Sequence, residues 1–265
     1  MTGPTGPAPP SGAEAPSTPA PPSAPPSPAP ALPPAPGPGW AVEPGPVVAP
    51  GPAVAVEPAL AGVGRRLVVD LGRVHRCLSS AVLGGGLAWV RTWLDLEVAR
   101  PYTRTDPDVH LREESGDLAG PVVGMLTAAP VAEFRQATVG GARALATVGV
   151  GHPLAAAGSR PREVPAPGTI NLLVVVDEPL TDAGLAGALQ TAVEAKAQAL
   201  AAARVLAANA PGYATGTATD SVCVACPPGA RVPFAGPVTR VGADLARAVL
   251  QAVQSGAELS RRAAG

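Results

Sequence analysis

GTINLLVVVD, Gly168 to Asp177, is the stretch that decides the fold. Leu172 to Val176 are continuously apolar, and the run has strand length rather than helix length. A strand apolar on both faces lies inside a sheet that is covered on both sides. Thr169 and Asn171 flank Ile170, so on a strand both point to one face. Buried hydroxyl and amide groups need partners. Two readings stay open for this pair: a structural network or a substrate-binding edge.

The pattern on either side supports a layered fold. Downstream, Thr181 or Asp182 can cap a long helix, expected to run to about Ala208 before Pro211-Gly212 stops it. ATGTATD, Ala214 to Asp220, is a glycine–threonine loop entering a second buried strand, SVCVAC. Val238 to Ser260 reads as a terminal helix. Upstream, RLVVDL (Arg66 to Leu71) predicts the first strand, and Gly84 to Gly86 form a turn between apolar runs. Asp106-Pro107 starts a turn or a short helix. VVGMLTAA (Val122 to Ala129) predicts a buried strand ending in a small-residue turn. Val131 to Ala144 is helix-like, ALATVGVG (Ala144 to Gly151) is the next strand, and a polar Gly/Pro loop runs on to Pro167. Buried strands interleaved with helices predict an α/β (mixed α+β) class. The expectation is a single layered domain with a central, largely buried sheet flanked by helices. Strand order is not contained in this pattern.

Composition divides the 265 residues in two. Residues 1–59 are mostly Pro, Ala, Gly and Ser and cannot bury enough apolar surface to offset chain entropy. They are expected to form a disordered extension of polyproline II character, leaving residues 60–265 as the domain. Net charge is -1 and no basic run occurs, so nucleic acid is not an expected partner. No stretch has the length and apolarity of a membrane span, and the start of the chain lacks a secretory pattern. Three cysteines do not make a disulfide framework. Cys223 and Cys226 have C-x-x-C spacing, but on a strand positions three apart face opposite sides. Two buried small hydrophobes are expected there. These features suit a soluble cytoplasmic protein. Oligomeric state is open, a homo-oligomer included.

Lys196 is the only lysine in the chain. Arginine serves wherever plain positive charge is enough, whereas lysine offers a compact charge whose pKa can move. At 100° per residue, Leu185, Leu189, Ala192, Leu200 and Ala203 fall within about 40° of Lys196. Glu194 lies about 160° away, with Gln190, Thr191 and Gln198. Lys196 is therefore on the apolar stripe and needs a partner. Asp220, in the adjoining loop, is the natural candidate. In the same loop Thr215, Thr217 and Thr219 offer hydroxyls, and Gly216 lets backbone approach closely. A Thr-rich turn bonding its own backbone is the competing reading. His75, His110 and His152 are scattered without ligand spacing, so no metal site is expected.

Taken in order, these motifs resemble the adenosylcobinamide amidohydrolase (CbiZ) family. LSSAVLGGGL (Leu78 to Leu87), VGMLTAA (Val123 to Ala129), the Ala146 to Gly158 segment, GTINLLVVVD, EAKAQAL (Glu194 to Leu200), ATGTATDSVCVAC and FAGPVTRVGADLARAV (Phe234 to Val249) carry the resemblance. Three departures stand out: Val193 where the family usually has Thr, Gly151-His152 where Ser-Asn is common, and Asp95 near a common Asn. The resemblance implies hydrolysis of the aminopropanol amide of adenosylcobinamide, giving adenosylcobyric acid and 1-amino-2-propanol. No separate cofactor is implied, because the cobalt corrinoid is the substrate. A non-catalytic corrinoid carrier and a general amidase with a Thr nucleophile are the alternatives.

Amide hydrolysis needs an activated nucleophile, a stabilised oxyanion and a protonated leaving amine. Two schemes follow. Asp220 or Glu194 activates water while Lys196 serves the oxyanion or the amine; or Thr217 or Thr169 is the nucleophile with Lys196 as base. The Gly-Thr junction also permits a self-cleaving amidase, which the spacing does not demand. The expected substrate contacts are Gly84, Gly85, Gly86, Thr127, Thr169, Asn171, Thr215, Gly216 and Thr219.

Overall fold

The computed structural model describes residues 52–61, 64–159 and 168–264, together with Gly3. The proline-rich extension lies almost wholly outside the described residues, as does the end of the loop leading to Pro167. Within them the strands are β1 (Ala53–Pro58), β2 (Arg65–Ser79), β3 (Gly86–Glu97), β4 (Val122–Thr127), β5 (Arg135–Val139), β6 (Ala142–Gly149), β7 (Thr169–Val176) and β8 (Ser221–Cys226). The helices are α1 (Pro107–Glu113), α2 (Asp182–Ala202) and α3 (Arg240–Ala264). β1 falls ahead of residue 60, inside the segment expected to be extension.

All eight strands belong to one open mixed sheet in the order β4-β3-β2-β8-β7-β6-β5, with β1 paired to β2. β2 is 15 residues long and serves two neighbours on one side. Its first half pairs with β1 and its last four residues pair with β8. GTINLLVVVD supplies β7, held between β6 (antiparallel) and β8 (parallel).

The continuous apolarity of β7 has a specific cause. On one face, Ile170, Leu172 and Val174 pack under Leu185, Ala188 and Ala192 of α2 and Leu245, Ala248 and Val249 of α3. On the other, Leu173 meets Trp93, Val123 and Met125 from β3 and β4, together with Cys223. The sheet thus bends over itself, and its β2–β4 half covers the inner face of its β6–β8 half. A small cluster of Leu94, Leu96 and Leu111 packs α1 onto the outer face of β3 and β4. Helices on one side and the folded-over sheet on the other realise the expected mixed architecture.

Two element assignments differ from the sequence reading. Val131 to Ala144 is not helical: a short 3-10 turn (Val131–Glu133) is followed by the β5–β6 hairpin. Gly140 has a φ of +50° and, with Gly141, makes the two-residue connection that a tight hairpin needs. Burial alternates along β5 with period two rather than 3.6. The second difference is the end of α2, at Ala202 instead of Ala208. Arg204 adopts φ +55°, Arg204 N donates to Ala201 O (3.0 Å), and Val205 N donates to Leu200 O (2.9 Å). This is the Schellman ending that glycine usually supplies. The freed segment turns back, and Leu206 bridges Tyr213. The other end of α2 is as expected, with Thr181 Oγ1 accepting from Gly184 N at 3.1 Å.

Candidate active site

The topology gathers the polar motifs at one edge. β7 and β8 are parallel neighbours joined through α2, with Asn171 opposite Ser221. Their first residues therefore lie side by side, and the helix between them runs back toward that edge. Gly168 precedes β7, Thr169 opens it, Asp220 precedes β8, and Lys196 sits in the last third of α2.

Lys196 is on the buried stripe of α2, 6% exposed, and Nζ donates to Asp220 Oδ2. The carboxylate takes three more donors. Thr217 N reaches Oδ2 at 3.1 Å, Ile170 N reaches Oδ1 at 3.0 Å, and Thr217 Oγ1 lies 2.5 Å from Oδ1. With about four acceptor positions on a carboxylate, Asp220 is saturated. It orders Lys196 and Thr217 and holds no free lone pair for a water.

The hydroxyls continue the network. Thr217 Oγ1 lies 2.8 Å and Thr219 Oγ1 3.1 Å from the carbonyl oxygen of Gly168. Thr219 Oγ1 is 2.8 Å from Thr169 Oγ1. Gly216 closes the centre from above. A Cβ there would stand 2.3 Å from Asp220 Oδ2 and 2.7 Å from Lys196 Nζ, so a side chain would have to displace the ion pair. Gly216 is itself fixed by Leu154, whose N donates to Gly216 O at 2.8 Å.

The other expected residues occupy different places. Glu194 is exposed on the outer face of α2 and accepts from Gln190 Nε2 at 3.0 Å, away from Lys196 as its helical phase requires. Thr191, placed on that polar face by phase, is instead buried, and its Oγ1 lies 2.9 Å from both Gly187 O and Ala235 O. Thr215 is exposed and accepts from Ala156 N at 3.0 Å, pinning one loop to another. Thr127 is buried at the end of β4, accepting from Ala129 N at 3.0 Å. Gly84 has positive φ and a Cβ on it would meet Val122 O at 2.5 Å; one on Gly85 would meet Ala81 O at 2.3 Å. These two glycines answer to the fold of the β2–β3 turn. Gly86 faces open space. The turn follows Ser79 and Ser80, and Ser80 Oγ accepts from Val222 N at 3.0 Å beside the start of β8.

Asn171 points into the bend of the sheet. Its Nδ2 donates to Asp95 Oδ1 (2.7 Å) and to Leu126 O (2.9 Å), while Thr147 Oγ1 donates to Asp95 Oδ2 (2.6 Å). Asp95 is fully buried, and burial pushes its carboxyl up to about 6 despite those hydrogen bonds. Asp95 and Thr147 were not among the expected site residues. The signal was available: one aspartate inside the apolar strand WLDLE. Of the departures, Val193 is exposed on the outer face of α2, whereas the backbone N of His152 lies 3.2 Å from the place of a Gly168 Cβ. Cys223 and Cys226 face opposite sides of β8, as expected, the former among the inner cluster and the latter under the helices. No three His, Cys, Asp or Glu side chains converge among the described residues, and no described helix is long and apolar enough to cross a membrane.

Lys196, Asp220 and the hydroxyls of Thr169, Thr217 and Thr219 thus share one edge of the sheet with the Gly168 carbonyl. The chain belongs to the adenosylcobinamide amidohydrolase family, whose model matches residues 61–264. It is 30% identical over 194 residues to an adenosylcobinamide amidohydrolase of Methanosarcina mazei, covering 68% of this chain and 89% of that protein. A second such protein, from Halobacterium salinarum, is 36% identical over 138 residues, 49% of this chain and 56% of its own length. An uncharacterized protein of Methanocaldococcus jannaschii is 34% identical over 87 residues, 32% of this chain and 34% of its own length.

Proposed function

We propose that this centre hydrolyses the amide joining aminopropanol to the corrin of adenosylcobinamide, releasing adenosylcobyric acid and 1-amino-2-propanol. One observation carries the reading. GTIN, EAK and TGTATD are far apart in sequence, yet Gly168, Thr169, Lys196, Thr217, Thr219 and Asp220 join in a single hydrogen-bonded cluster. Family membership supports an amide as the bond attacked. The cluster supplies what that reaction needs. Lys196 brings a compact positive charge to a developing oxyanion or a leaving amine, and Asp220 holds it in place. A threonine hydroxyl is the better nucleophile candidate than a water activated by Asp220, because the carboxylate is already saturated. Glu194, facing solvent, is left without a part in the chemistry.

The experiment is incubation with adenosylcobinamide and mass detection of adenosylcobyric acid. Lys196→Arg should abolish turnover while the protein stays folded, since guanidinium neither gives up its proton nor fits the space beneath Gly216. A fully active Arg variant would refute the role of Lys196. Tight binding without product would replace the enzyme with a corrinoid carrier, and hydrolysis of simple amides without a corrin would point to a general amidase.

A further inference from the structure

We infer that the chain cuts its own Gly168–Thr169 peptide bond and uses the liberated Thr169 as its nucleophile. The inference deepens the reading of the Lys196–Asp220 centre as an amide hydrolase. The observation behind it is the environment of the Gly168 carbonyl. The Thr219 hydroxyl stands 3.1 Å from its oxygen and can donate to it, while Thr217 Oγ1, whose one proton goes to Asp220, lies 2.8 Å away. A donor on a carbonyl oxygen stabilises the charge that forms there when the carbon is attacked. The residue following this carbonyl is itself a hydroxyl residue, so a nucleophile is covalently tethered beside it. Thr169 Oγ1 lies 2.8 Å from Thr219 Oγ1, which gives its proton a path toward the same oxygen. Gly168 is enclosed: a Cβ would stand 3.2 Å from His152 N, 3.3 Å from Thr217 Cγ2 and 3.4 Å from Gly149 O.

The step balances without any outside reagent but water. Thr169 Oγ bonds to the Gly168 carbonyl carbon while its proton passes through Thr219 Oγ1 to the carbonyl oxygen; as the C=O re-forms the C–N bond breaks, and that proton ends on the departing nitrogen. The peptide has become an ester. Water then adds to the ester carbon and the Oγ–C bond breaks. Gly168 is left as a carboxylate, the hydroxyl is restored, and Thr169 carries a free α-amine. That amine sits beside its own hydroxyl and can act as the base for the next attack, on an external amide. The two pieces remain one molecule, because β7 stays hydrogen-bonded to β6 from Thr169 to Val176.

The test is the intact mass of the purified full chain under denaturing conditions. Fragments 1–168 and 169–265, the second beginning TINLL, are expected from the wild-type protein, eluting together under native conditions. Thr169→Ser should cut, Thr169→Ala should remain whole with an unchanged circular dichroism spectrum, and Thr219→Val should cut at least ~10-fold more slowly. A folded wild-type chain that stays whole after prolonged incubation would overturn the inference, as would cutting of Thr169→Ala or a new terminus elsewhere. Cutting needs no corrinoid. Fragments without turnover of adenosylcobinamide would leave this inference standing and remove only the substrate reading. Turnover by uncut protein would do the reverse.

Discussion

Asp95→Asn should make the protein more stable at neutral pH and flatten its dependence on pH. Asp95 is fully buried between the two halves of the bent sheet, accepting from Thr147 Oγ1 at 2.6 Å and Asn171 Nδ2 at 2.7 Å. Burial raises its carboxyl from 3.8 to about 6, with the nearby Glu97 adding to the rise and both hydrogen bonds opposing it. The folded chain therefore binds this proton more readily than the unfolded chain. The stability contributed by the group is fully present below about pH 4 and is lost as pH rises to about 6. Two decades of proton affinity, at about 1.4 kcal/mol each, make the loss about 3 kcal/mol at pH 7. Asparagine has the same shape and no charge. Its Oδ1 can accept from Asn171, and its Nδ2 can face Thr147, whose hydroxyl turns to accept. The variant is then expected to exceed the parent by up to about 3 kcal/mol at pH 7, the difference closing toward pH 4. Urea unfolding of both proteins at pH 4, 5, 6 and 7, compared at equal m-value, measures this directly. Subtraction removes carboxylates such as Asp70 and Asp117, which arginine partners hold below their usual range and which act in the opposite direction. A variant about 1 kcal/mol or more less stable at pH 7, or a difference that does not change with pH, would refute the reasoning.

Gly216→Ala should lower turnover on the order of 10²-fold, because its Cβ would stand 2.3 Å from a carboxylate oxygen that Ile170 N and Thr217 N keep from retreating. Wild-type rates in that variant would mean that the ion pair is not needed. Glu194→Gln should leave turnover unchanged, since the side chain faces solvent; a loss of about tenfold would bring it back into the chemistry. Arg66→Ala should destabilise by about 2 kcal/mol. The guanidinium is buried and bonds Glu114 O at 2.6 Å and both oxygens of Asp117, but Asp117 is half-exposed and can rehydrate. A shift in urea midpoint equivalent to about 4 kcal/mol or more would mean that the carboxylates left behind are effectively buried.

The parts of the fold legible in sequence were those where one rule acts alone. Continuous apolarity placed β7 and β8 because both are covered on two faces, and the threonine cap placed the start of α2. The end of α2 was not legible because Arg204 does in the left-handed region what glycine normally signals. The β5–β6 hairpin carried its marker in Gly140-Gly141, but the apolar spacing before it fits a helix equally well, and tertiary pairing with β7 decides for a strand. Strand order depends on β2 pairing with β1 along one half and β8 along the other, which no local pattern encodes. In the site, helical phase separated Lys196 from Glu194 and the loop supplied Asp220. What could not be seen was the bend of the sheet. It brings Asp95, on β3, against Asn171 and Thr147, a contact spanning 76 and 52 residues.

That bend also gives Thr169 and Asn171 different surroundings. Thr169 and Asn171 share one face of β7, yet they sit on opposite sides of the boundary between rim and interior. Asn171 is 1% exposed, and its amide bolts β7 to β3 and β4, so its part is structural. Thr169 is one step nearer the edge, where the strand meets the TGTATD loop, and its hydroxyl faces Thr219 rather than the core. Rigidity at Asn171 gives Thr169 its fixed position. A residue held by sheet pairing on one side and by a buried amide two residues on cannot drift from the Gly168 carbonyl or from the Lys196–Asp220 pair. Substitution of Asn171 should therefore cost stability first, with turnover following as Thr169 loses its placement, whereas substitution of Thr169 should cost turnover alone.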